Sequence, residues 1–163
     1  MDSAYRKYQT NLLFSGLAIM AFGLWSAVKL IVYLTLHPEL ITNYVAIEAV
    51  DFSVVKVVFY AIFGLLILFS LLLHFFIGSS AVRDARRKTK LRTPYLIVSV
   101  LYGLSLFMSS AHALPILNAE GGSEKMFTTF IIDATSILAL VIIIVSSHKL
   151  NKIRKMQLKT AGD

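Results

Sequence analysis

Cysteine is absent from all 163 residues. That excludes a disulfide scaffold, a thiolate metal centre and dithiol redox chemistry. Charge is scarce too: Asp, Glu, Lys and Arg together make up 15% of the chain, where a soluble domain carries about a quarter. Apolar residues are abundant instead, at 57%, with a mean hydropathy of +0.74. A soluble fold of this length cannot bury so much apolar surface, and disordered chains are poor in these residue types. The class that remains is the integral membrane protein.

A helix needs about 20 apolar residues to cross the hydrocarbon core. Four stretches meet that length, at about 11–36, 52–77, 94–117 and 126–146. Backbone groups in lipid need internal partners, so these stretches are helices and not strands. The expectation is a single all-α domain, a four-helix transmembrane bundle. The first apolar run is too long for a signal-peptide core. It is followed by His37-Pro38 and not by a small-residue cleavage site, so it reads as a retained anchor.

Lys and Arg in short loops set orientation. Three segments are basic: Arg6-Lys7; then Arg83, Arg86, Arg87, Lys88, Lys90 and Arg92; then Lys149, Lys152, Arg154, Lys155 and Lys159. The other two loops are acidic, with Glu39, Glu48 and Asp51 in one and Glu120 and Glu124, beside Lys125, in the other. Four spans bring all three basic segments to one face, which predicts cytoplasmic termini. The net charge of +7 then marks a membrane face and not a nucleic-acid surface. Arg83, Arg86, Arg87, Lys88, Lys152, Arg154 and Lys155 are candidate contacts for anionic lipid, at about 1 kcal/mol each near the surface. The other reading of the same charges is orientation alone, with no specific partner. The lipid bilayer is the expected partner, together with further copies of this chain or a larger membrane complex. A bacterial cytoplasmic membrane suits a compact chain without cysteine.

The chain also reads as two hairpins joined by the basic loop. Ser79-Ser80 and Ser146-Ser147 each end a span, with Arg87-Lys88 and Arg154-Lys155 following at matching offsets. Gly23 and Ala27, four apart, offer a close helix contact. Trp25 is expected to pack inside the bundle. His74 is expected near the membrane interface, close to the basic end of the second span.

The most informative residues are polar ones placed where polarity is costly. A charge at the centre of a membrane helix costs about 2.5–3.5 kcal/mol on insertion scales. Lys29 lies seven residues before Leu36 and Asp133 seven after Met126. In antiparallel spans both fall about 10 Å below the same membrane face. Asp133 is short and has to face the interior, paired, hydrogen-bonded or protonated, and Lys29 is its expected partner. Tyr102, Ser105, Ser109 and His112 follow helical spacing in the third span, Thr129, Asp133 and Ser136 in the fourth, and Asn11, Ser15, Ser26, Lys29 and Tyr33 lie close to one face of the first. The expectation is an outward-facing polar pocket formed by Lys29, Asp133, Ser109, His112, Ser26 and Ser136. Two readings remain open: the pocket binds a small solute or ion, or the same polar groups only fix helix register.

No Gly-rich phosphate loop, nucleophile elbow or zinc-protease motif is present. Only His74 and His112 lie within spans, near opposite faces, so one haem cannot bridge them. No cofactor and no metal is expected. The functional expectation is a non-enzymatic protein that binds or transports a small solute or ion, as an oligomer or transporter subunit. Its alternative is a membrane scaffold with structural polar residues.

Overall fold

The computed structural model describes residues 2–36, 52–86, 94–117 and 123–160, each a continuous helix. These are α1 (Asp2–Leu36), α2 (Phe52–Arg86), α3 (Pro94–Leu117) and α4 (Ser123–Thr160). No strand occurs among the described residues. α3 opens at Pro94, whose fixed φ and missing N–H suit a first helical turn. Three helical stretches are long and apolar enough to cross a membrane: Ser3–Leu36, Lys56–Arg86 and Ile131–Gln157. A shorter apolar stretch, Pro94–Met108, belongs to α3. This is the make-up of a helical membrane protein.

Three helices run further than the apolar runs alone indicate. α1 begins at Asp2 and not near 11, α2 continues to Arg86 and not 77, and α4 to Thr160 and not 146. The extensions meet one another. Gln9 Nε2 donates to the Ala85 carbonyl at 2.8 Å, and Arg154 Nη2 donates to the Asp84 carbonyl at 2.9 Å. These contacts join the N-terminal part of α1 to the C-terminal ends of α2 and α4. Tyr95, at the start of α3, bonds Ser147 of α4. Successive helices therefore alternate in direction.

Helical spacing explains what is buried. α1 turns Leu12, Gly16, Ile19, Gly23 and Ala27 inward, and α2 answers with His74, Gly78, Ala81 and Ala85. Small residues on both faces let the two backbones approach closely, which is how helices gain packing energy without a hydrophobic drive between them. A Cβ on Gly16 would lie 2.8 Å from the Gly78 carbonyl oxygen, and a Cβ on Gly78 only 2.5 Å from that of Gly16. At this crossing only glycine fits on either helix.

The core of Leu12, Ile19, Ile77, Ala81, Leu140 and Ile143 lies toward the end where Gln9, Ala85 and Arg154 meet. The opposite part of α2 is different. Val57, Leu65, Leu66 and Phe69 are all exposed, and Gly64 has nothing near it. The bundle is thus tight at its basic end and open along the first half of α2. Trp25 was expected in the interior. It is 57% exposed, because Gly23 and Ala27 occupy the buried face and Trp25 lies between them on the other side.

Candidate functional site: polar groups inside the bundle

The bundle interior holds polar side chains at two levels. The first centres on Asp133, Lys29, Tyr102 and His74, one from each helix. Asp133 and Lys29 are both half-buried and lie close enough to interact through their charges. The Asp133 charge also acts on Tyr102 of α3. Ser136, one turn along α4 from Asp133, is buried, and Ser26, one turn before Lys29, is half-buried. Both charged residues thus fall on partly buried faces of α1 and α4. Ser109 and His112 fall on α3, but their side chains lie outside the described residues. Arg87 and Lys88 also lie outside them, as do the loop at 37–51 and the turn at Gly121-Gly122.

Tyr102 continues the polar zone to α2. Its hydroxyl is 2.8 Å from His74 Nε2, and His74 Nδ1 is 2.7 Å from the Ser70 carbonyl. A carbonyl only accepts, so Nδ1 carries the proton and donates. In the neutral ring Nε2 is then the acceptor, and the Tyr102 hydroxyl donates to it. His74 is 3% exposed, packed between helices and not on a solvated surface. It lies about 18 Å along the α2 axis from Arg86. Gly23 makes room for the ring: a Cβ there would lie 2.5 Å from both Cβ and Cγ of His74. The close contact read from Gly23 and Ala27 is thus realised, with a histidine as its counterpart.

The second level lies at the basic end. Asp84 is 1% exposed and Arg154 4% exposed. The Arg154 guanidinium donates to the Asp84 backbone and stands 5.9 Å over the Tyr5 ring. The Tyr95 and Ser147 hydroxyls are 2.6 Å apart, and Ser99 donates to the Tyr95 carbonyl at 2.7 Å. Arg154 was expected on anionic lipid. It turns inward instead, because α4 continues as a helix with Leu150 and Arg154, four apart, on its buried face. Arg83, Arg86, Lys152 and Lys155 are exposed, free to meet a lipid surface.

Sequence reasoning missed Asp84, Tyr95, Ser147 and Gln9. A signal was available for Asp84: it is the lone acid in a strongly basic stretch, and it follows Gly78 and Ala81 on a helix-spaced small-residue face. Among the described residues no group of three His, Asp or Glu side chains is arranged to hold a metal ion. No known family model matches the sequence, no curated protein aligns with it, and no solved structure matches its fold.

Proposed function

We propose that this protein is a non-enzymatic multi-pass membrane protein that binds and passes a small ion or solute at the Lys29–Asp133 site. In this reading all four helices cross the bilayer and both termini are cytoplasmic. The positions of Arg83, Arg86, Lys152 and Lys155 at one end of the bundle support that orientation. A cell membrane, of the bacterial cytoplasmic kind, is the proposed location.

The observation that carries the reading is the convergence of Lys29, Asp133, Tyr102 and His74 from four helices. Intramembrane ionisable groups are costly and characteristically line ion or solute paths. The chemistry is that of a tethered competitor. Lys29 neutralises Asp133 while the site is empty. A mobile cation, or the cationic group of a solute, takes its place on the carboxylate. The long lysine stem then carries the ammonium toward the acidic end of the bundle, where it regains hydration. Ser26 and Ser136 supply hydroxyl oxygens beside the charge pair. Four helices barely enclose a path. The exposed first half of α2 supports a second copy or a transporter partner as the missing wall.

The test is flux in reconstituted vesicles. Under an imposed membrane potential, the wild-type chain should dissipate a proton, Na⁺ or K⁺ gradient, and Asp133→Asn should not. Equal leak from both, no greater than from empty vesicles, overturns the proposal. The scaffold reading is favoured by the second polar level, where Asp84, Arg154, Tyr95 and Ser147 only join helices to one another. It predicts that the combined Lys29→Met and Asp133→Leu variant changes stability or helix register only, with wild type and variant alike giving no flux above empty vesicles.

A further inference from the structure

Beside the Tyr102–His74 bond, α2 and α3 diverge and leave a cleft of about 370 Å³. That is within the range of small-molecule sites, about 300–1,000 Å³. Its walls are apolar: Phe69 and Leu73 on α2, Val98 and Leu101 on α3. Three hydroxyl-bearing residues also line it, Ser70, Tyr102 and Ser105. No charged side chain does.

The hydroxyls define what fits. Tyr102 directs its proton to His74. Ser99, Thr35 and Thr135 turn theirs back onto carbonyls of their own helices, the usual solution for a hydroxyl in an apolar setting. Ser70 and Ser105 do not: neither side chain makes a hydrogen bond to another described residue. Ser70 on α2 and Ser105 on α3 are thus two donors without acceptors among the described residues, on two walls of one cleft. Ser70 also lies about 21 Å along the helix axis from Lys56 and about 20 Å from Arg83, near the middle of the charge-free stretch and so deep within a hydrocarbon layer about 30 Å thick. Phospholipid ester carbonyls stay at the interface and do not reach that depth.

We infer that this cleft binds a lipid-soluble, uncharged carbonyl compound with a flat head, of the quinone class, which enters sideways from the bilayer. One carbonyl oxygen accepts from Ser70 and Ser105, while Phe69, Leu73, Val98 and Leu101 cover the ring. The inference rests on the proposed membrane placement of the helices and is independent of the Lys29–Asp133 site.

The experiment is photolabelling in nanodiscs with an azido-benzoquinone, mapped by mass spectrometry and competed with decylbenzoquinone. Adducts are expected within 69–73 and 98–105 and should vanish under competition. The Ser70→Ala and Ser105→Ala double variant should weaken competition about ten-fold, the loss expected for two modest hydrogen bonds. Leu73→Trp, which fills the cleft, should abolish the adducts. A phosphatidylcholine with a diazirine in its acyl chain serves as the second probe. Its labelling of Leu65 and Leu68 reports separately whether α2 lies in the bilayer. Three results overturn the inference: quinone adducts spread along exposed α2 without competition, competition unchanged in the double serine variant, or a cleft labelled by the diazirine lipid despite excess decylbenzoquinone.

Discussion

The Tyr102 hydroxyl and His74 Nε2 lie 2.8 Å apart, and their rings meet edge to face with centroids 4.9 Å apart. This contact ties α3 to α2. Tyr102→Phe removes the donor and leaves a buried ring nitrogen without a partner. Hydrogen bonds between membrane helices are worth about 0.6–2 kcal/mol. The variant should lose about 1 kcal/mol, read from its unfolding midpoint in mixed micelles. A double-mutant cycle with His74→Ala should give a coupling of that size. Strict additivity would show that the bond contributes nothing.

Glycine matters where α1 meets α2 and not along the exposed part of α2. Gly78→Val and Gly23→Leu force side chains into the Gly16 backbone and the His74 ring. Both should lose monodispersity in mild detergent and several degrees of thermal stability. Gly64→Val meets nothing within 4 Å and should be neutral or slightly stabilising, since valine reduces chain entropy in the unfolded state. Equal effects at all three sites would contradict the described packing.

Arg154 and Lys155 are neighbours with opposite surroundings. Arg154→Met removes a buried guanidinium and its bond to Asp84, and hydrogen bonds to charged groups are worth about 1.5–3 kcal/mol. A loss of about 2 kcal/mol is expected, with binding to anionic vesicles unchanged. Lys155→Met should leave stability within about 0.5 kcal/mol and weaken vesicle binding. The reverse pattern would return Arg154 to the lipid surface.

The absence of cysteine makes the chain ready for topology mapping. Single substitutions Ser3→Cys, Arg86→Cys and Lys155→Cys should react with an impermeant maleimide from one side of sealed vesicles, and Ser123→Cys from the other. Labelling of Ser123→Cys from the same side as the rest would mean that neither α3 nor α4 crosses.

The long apolar runs made the helices legible in the sequence, and basic residues flanking them made the shared end of α1, α2 and α4 legible too. Asp133 and Lys29 could be matched because antiparallel spans fix depth by counting residues. What escaped was set by the ends. Hydropathy falls where charges begin, yet α2 and α4 stay helical beyond that point, because Asp84 and Arg154 find partners inside the bundle. The bond of His74 to Tyr102 escaped because it depends on the register between α2 and α3. The Gly16–Gly78 crossing escaped for another reason: glycines are common in apolar helices, and only the register between two helices shows which ones touch.

The central claim is that water and small ions reach the interior beside Asp133 and Lys29. Its most direct test is the reaction of Ser26→Cys and Ser136→Cys with a small impermeant cationic thiosulfonate, measured against Leu138→Cys on the exposed apolar face of α4. The account predicts that both interior cysteines react much faster than the control, from the acidic-loop side only, and that Asp133→Asn slows them. Interior cysteines as inert as Leu138→Cys would show a sealed, structural charge pair and contradict the account.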